Sequence, residues 1–177
     1  MSTPQTANVD LRCSADAWTR NSSGRVVTGA VPLDATKVAN VEPRVSFITL
    51  VVRNLPLSRV FYVDGLGWPV EFEAPGEVLM IRVGDKLVLS LWDEASATTE
   101  IGPVTRGEGV PPVTLAHNVG TKVEVDMVVA EAKTAGAAIV AEPKAREWGG
   151  YSGYFADPDG FRWEVAWNPG PVGQSVL

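Results

Sequence analysis

The order strand, helix, strand, strand, strand occurs twice along this chain, and no other feature of the sequence narrows the fold as far. Superposing Val52 on Val119 brings Phe61 onto Val128 and sets Gly84 to Leu89 opposite Gly160 to Val165, an internal repeat of about 70 residues. Such a repeat reads as one supersecondary unit that buries its apolar face against its copy.

In the first unit, Val45 to Val52 is a β-branched run, and Asn54-Leu55-Pro56 opens a helix through Tyr62. The asparagine can cap that helix and the proline fits its first turn. Asp64-Gly65-Leu66-Gly67 ends it, and three strands follow at Trp68 to Glu73, Val78 to Val83 and Leu87 to Trp92. A linker rich in Gly and Pro runs from Ala95 to Pro112. In the second unit, Val113 to Val119 is a strand and Val123 to Ala135 a helix, with Val125, Val128, Val129 and Ala132 as its apolar stripe and Gly136 as its stop. Ala138 to Ala141, Tyr151 to Ala156 and Phe161 to Trp167 are its remaining strands.

The last two strands flank Asp157-Pro158-Asp159-Gly160, where proline presets φ and glycine accepts positive φ. Strand alternation puts Arg162, Glu164 and Ala166 on one face and Trp163, Val165 and Trp167 on the other. Glu164 is thus a carboxylate in the middle of an apolar strand. It needs a hydrogen-bonding partner or a solvated cavity, and a salt-bridged or solvent-facing glutamate is the plainer alternative.

The formal net charge of −6 and the lack of a basic cluster argue against nucleic acid as a partner. No apolar run reaches the roughly 20 residues that span a bilayer, and no basic start with an apolar core marks a secretory leader. A cytoplasmic protein without membrane partners is the expectation. Cys13 is the single cysteine, so one chain can form neither a disulfide nor a thiolate cluster. The Asn21-Ser22-Ser23 triplet is expected to be chance. Residues 1–43, punctuated by Pro4, Pro32 and Pro43, read as an N-terminal arm; residues 44–169 form the domain, with modules 45–93 and 113–167, and residues 170–177 a tail.

The phrases Phe61-Tyr62-Val63-Asp64-Gly65-Leu66-Gly67-Trp68 and Tyr154-Phe155-Ala156-Asp157-Pro158-Asp159-Gly160-Phe161-Arg162-Trp163-Glu164, set in this order of elements, resemble the vicinal oxygen chelate superfamily. That superfamily includes glyoxalases, extradiol dioxygenases, fosfomycin-resistance transferases and bleomycin-resistance binding proteins. The resemblance covers about residues 45–169. It implies an α+β fold in which two tandem βαβββ modules form a curved mixed sheet around a cavity, as in glyoxalases. It also implies a divalent metal held near the start of each module's first strand and within its last strand. Those positions fall on Phe47 and Val88 in the first module and on Thr114 and Glu164 in the second. Only Glu164 is a good ligand for such a cation, and one carboxylate is not a metal site. No cofactor is therefore expected, and a divalent metal stays open only if the arm or a second subunit contributes further ligands.

His117 lies three residues past Thr114, so alternation turns it toward the helix, while a bulge would return it to the cavity. Both placements stay open. Trp92, Trp148, Tyr151, Tyr154, Trp163 and Trp167 suit either a core or a ligand that stacks. Core is the default for Trp163 and Trp167. Trp148 and Tyr151 sit in a loop bordered by glycines, which reads as the rim of a cavity. Gly150-Tyr151-Ser152-Gly153 lacks the spacing of a nucleophile elbow.

Two functions follow, beside a third reading as a regulatory or scaffold module with a vestigial pocket. The first is a metal-free binding protein of the glyoxalase/bleomycin-resistance kind, enclosing a small organic molecule between Phe47, Thr49, Val88, Trp92, Thr114, Trp148, Tyr151 and Tyr154. The second is a lyase or dioxygenase of the glyoxalase type, with a non-standard site built on Glu164 and His117 as catalytic groups. Whether the two modules pair within one chain or exchange between the chains of a homodimer is open at this level.

Overall fold

The computed structural model describes residues 42–177 and two short strands, Thr19–Arg20 and Val26–Val27, which pair antiparallel. The rest of the N-terminal arm, with Cys13 and the Asn21 triplet, lies outside the described residues. The chain divides into two units, Met1–Glu42 and Pro43–Leu177, and both modules belong to the second.

The first module runs β1 (Phe47–Val52), α1 (Leu55–Arg59), β2 (Val70–Ala74), β3 (Val78–Gly84) and β4 (Leu87–Asp93). Asn54 caps α1, its Oδ1 accepting from the Leu57 amide at 2.9 Å. The helix does not stop at Tyr62 as the sequence predicts. It widens into a π-helical turn over Val60–Gly65, where the Leu66 amide donates to the Phe61 carbonyl at 2.9 Å. The wide turn lets the consecutive residues Phe61 and Tyr62 both enter the core.

A second helix, α2 (Glu94–Ile101), occupies the start of the expected linker. Asp93 caps it by accepting from the Ala95 and Ser96 amides, and Glu94 complements its N-terminal dipole. The second module runs β5 (Thr114–Asn118), α3 (Lys122–Thr134), β6 (Ala138–Ala145), β7 (Tyr151–Ala156) and β8 (Arg162–Trp167). Thr121 caps α3 through the Glu124 amide, and Gly136 leaves it at φ +106. The strand β6 is longer than its apolar run and carries Pro143, which an edge strand tolerates. A short helix, α4 (Pro171–Gln174), ends the chain's described elements.

Each module makes a four-stranded mixed sheet, ordered β1-β4-β3-β2 in the first and β5-β8-β7-β6 in the second. The first strand of each runs parallel to the last, so that Phe47 faces Val88 and Ala116 faces Glu164 across the ladder. No strand pairing joins the two sheets. They meet instead through their helix-bearing faces, which share one core. Leu50, Val52, Leu79, Ile81, Leu89 and Leu91 come from the first sheet, Phe155, Trp163 and Val165 from the second, and Phe61, Tyr62, Val125, Val129 and Ala132 from the helices. Of the predicted apolar stripe of α3, Val125, Val129 and Ala132 are buried and Val128 packs against the same core partly buried. Among the described residues no helix is long and apolar enough to cross a membrane.

The junction between modules is polar as well as apolar. Trp163 Nε1 donates to the Tyr62 hydroxyl at 3.0 Å, and that hydroxyl donates to Asp157 Oδ2 at 2.7 Å. Asp157 Oδ1 accepts from the Asp159 and Phe161 amides, which closes the β7–β8 turn. Asp159 in turn accepts from the Arg53 amide at 2.8 Å and from the Ser58 hydroxyl at 3.3 Å. A turn that the sequence explains by local chemistry alone thus also fastens the second module to the first.

Candidate functional site

Opposite the shared core, each sheet presents an outer face. On the first sheet it carries Phe47 and Val88, then Thr49 and Ser90, then Val51 and Trp92, in paired rows. Phe47 is 53% exposed and Phe72, opposite Met80 on the same face, 52%. On the second sheet the rows are Thr114 with Arg162, Ala116 with Glu164 and Tyr154, and Asn118 with Ala166 and Ser152.

Glu164 occupies the middle of this second face and is not alone there. The Tyr154 hydroxyl donates to its Oε1 at 2.6 Å, a charge-assisted bond. Burial, followed by that bond to Glu164, raises the Tyr154 pKa, which keeps the phenol protonated as the donor. The Arg146 guanidinium lies 5.2 Å from the centre of the Tyr154 ring and is fixed by Ser152, donating to its Oγ and its carbonyl at 2.9 Å each. Residue types in the sequence do not announce this Arg146–Tyr154–Glu164 chain. It becomes legible only once β6 and β7 are paired.

The positions that would hold a metal do not fit one. Phe47 and Val88 have no ligating atom, and the residue across from Glu164 is Ala116, with Thr114 two residues further along the face. Glu164 already spends one oxygen on Tyr154. Among the described residues no group of three His, Cys, Asp or Glu side chains is placed to share an ion.

His117 pairs in register with Val165, so it points to the helix side of the sheet, opposite to Glu164. The strand β5 pairs without a bulge, and the two groups cannot meet at one reacting atom. His117 lines a separate cleft of about 450 Å³ with Ile48, Trp68, Leu89, Leu115 and Trp163. Partial burial there lowers its pKa from the ordinary 6.5. The unfolded chain therefore takes up a proton first as pH falls through 6.5, so this residue's contribution to stability is present at neutral pH and is lost in mild acid. Proton NMR of the chain's single histidine should give a midpoint below 6.5. The urea midpoint should fall more steeply from pH 7 to 5 in the parent than in His117→Gln, and equal slopes would contradict this environment.

The remaining aromatics divide by face. Tyr151 lies on the helix side, its hydroxyl donating to Asp126 of α3 at 2.9 Å and its ring facing Lys122. Trp163 is buried at the module junction and Trp167 packs against the core. Trp148 stands exposed at the tip of the β6–β7 hairpin, its ring covering Gly150, where any side chain would collide with it. Trp92, Tyr154 and the exposed Phe47 remain on outer faces.

A cleft of about 610 Å³ brings the two outer faces together at one end. Thr49 and Val51 of β1 form one wall, Phe161 and Arg162 the other, and the segment 104–112 crosses over it. Arg106 holds that segment in place, donating to the Val51 carbonyl at 2.8 Å and pairing with Glu94 at 2.7 Å.

Residues 44–165 match the family model of the Glyoxalase/Bleomycin resistance protein/Dioxygenase superfamily. No curated protein matches the chain. Among solved structures, a glyoxalase-related enzyme from Fulvimarina pelagi is 33% identical, with 72% of this chain and 90% of that one covered at a TM-score of 0.66. A glyoxalase/bleomycin resistance protein/dioxygenase from Nocardioides is 24% identical, covering 75% of this chain and 91% of its own, with a TM-score of 0.63. The lactoylglutathione lyase from Agrobacterium tumefaciens is 22% identical over 72% of this chain and 95% of its own, at 0.56. The latter two show the fold alone. By its duplicated module, its two mixed sheets and the match over both, the chain belongs to the Glyoxalase/Bleomycin resistance protein/Dioxygenase superfamily.

Proposed function

We propose that this protein binds a small organic molecule on its outer faces and in the cleft between them, without a metal. One observation carries the reading. Of the positions the family uses for metal, only Glu164 offers a ligand, and its Oε1 is engaged by Tyr154 at 2.6 Å. Glu164 held in this way is part of a polar outer face on the second sheet, while Phe47, Val88 and Trp92 supply apolar contact on the outer face of the first. The cleft of about 610 Å³ lies within the roughly 300–1,000 Å³ of small-molecule sites.

A reaction using both Glu164 and His117 has no support in this geometry, because the two lie on opposite sides of one sheet. A homodimer remains part of the proposal. The first strands β1 and β5 are unpaired along one edge, and Phe47 and Phe72 stand exposed on an outer face. A second copy is a partner that would cover both features.

The test is a fluorescence titration with 2-naphthoate, 2-naphthamide and 2-naphthylmethylamine, using tryptophan emission as the readout. Saturable quenching by at least one probe is expected, and Phe47→Asp should abolish it with little change in melting temperature, since Phe47 is exposed. Absence of saturable binding by all three would refute the proposal.

A further inference from the structure

The walls of the larger cleft carry three guanidinium groups, from Arg53, Arg106 and Arg162. Two of them are neutralised inside the protein. Arg53 pairs with Asp159 through its Nε at 3.3 Å, and Arg106 pairs with Glu94. Arg162 differs: its Nε is buried without a hydrogen-bond partner, and it forms no ion pair among the described residues. A buried guanidinium N–H left unpaired is costly, because it has lost its water and gained nothing in exchange.

Acidic side chains are close at hand but do not neutralise Arg162. Glu164 lies two residues along the same face but accepts from Tyr154. Asp159 is held by Arg53 and Ser58. Glu108 lines the same cleft on the crossing segment and makes no ion pair with Arg162. Position 162 is also fixed in space. It begins β8, opposite Thr114 on one side and Ala156 on the other, and its residue lines the cleft.

We infer that Arg162 is the recognition group for an oxyanion on the bound molecule, so that the ligand of this cleft is an organic anion bearing a carboxylate or phosphate. This rests on the function proposed above and specifies its ligand class. The guanidinium lines the cleft and carries a charge that no described acidic side chain pairs with, and such a group donates charge-assisted N–H bonds to carboxylate or phosphate oxygens. Thr49, on the facing wall, adds a hydroxyl, and Val51 and Phe161 supply apolar surface for the body of the molecule.

The experiment compares 2-naphthoate and 2-naphthyl phosphate with the neutral 2-naphthamide, in the full chain and in Arg162→Gln and Arg162→Lys. At least one anion should bind ten-fold or more tightly than the amide. Arg162→Gln should remove that preference, and Arg162→Lys should restore part of it. The Arg162 Nε–H resonance should shift on adding the preferred anion, a readout that a merely structural arginine does not give. Which anion is preferred distinguishes carboxylate from phosphate recognition. If the amide binds as well as both anions, or if Arg162→Gln keeps the preference, the inference fails while the binding function stands. If no probe binds at all, it is the function that fails.

Discussion

Trp163→Ala is expected to cost about 3–5 kcal/mol of folding stability, the range for truncating a large buried aromatic. The indole is only 6% exposed and joins the modules by packing and by hydrogen bonding. It lies near-parallel to Phe155 at 6.2 Å, meets Trp68 edge-on at 5.5 Å, and donates to the Tyr62 hydroxyl. Alanine leaves a cavity at the meeting point of the two sheets, where each is fixed by its own hydrogen bonds and cannot collapse inward. Trp163→Phe should cost less, keeping much of the ring packing and losing the donor. Urea denaturation followed by far-UV circular dichroism measures both. A loss below about 1 kcal/mol for the alanine variant would mean that the modules do not share this core.

The second large effect is at the turn. Asp157→Ala removes the acceptor for the Asp159 and Phe161 amides and for the Tyr62 hydroxyl at once. Unsatisfied buried groups cost about 1–3 kcal/mol each, and the turn amides can regain water, so a total of about 2–4 kcal/mol is expected. Asp157→Asn keeps an acceptor for the amides and should be milder. Its comparison with the parent has a defined pH dependence. Burial raises the Asp157 pKa above its ordinary 3.8, against the opposing hydrogen bonds. The folded state thus holds that proton more tightly than the unfolded chain. The contribution of Asp157 to stability is complete below 3.8 and declines as pH rises through the folded-state value. The parent's advantage over Asp157→Asn should therefore be larger at acidic pH than at pH 7, and an advantage that grows toward neutrality would contradict the burial argument.

What the sequence makes legible follows from periodicities, which are local. The 3.6-residue period of Val125, Val129 and Ala132 buries one face of α3, and the two-residue period of β8 separates Glu164 and Arg162 from Trp163 and Val165. The turn at Gly160, with φ +92, is equally local. What the sequence leaves open depends on partners far along the chain. That Asp157 binds Tyr62, 95 residues away, follows from how the sheets meet. The π-helical turn at Val60–Gly65 has no local signature either, being favoured by the burial of two consecutive aromatics. His117 was ambiguous because one bulge in β5 would reverse its face, and only the paired register decides it. The same register places Ala116 opposite Glu164 where alignment of the repeats points to Thr114. The glycine-rich surroundings of Tyr151 suggest a rim residue, whereas pairing with Trp167 turns it toward α3. Asp93 as the cap of α2 was present in the sequence, hidden by the Gly and Pro that follow the helix.

Among the described residues no metal-binding donor set surrounds Glu164, and metal analysis tests the metal-free function directly. Protein purified without chelator, and its Glu164→Ala variant, should both contain far less than one equivalent of zinc, nickel, manganese or iron. One equivalent of any of these in the parent, lost in the variant, would contradict the account.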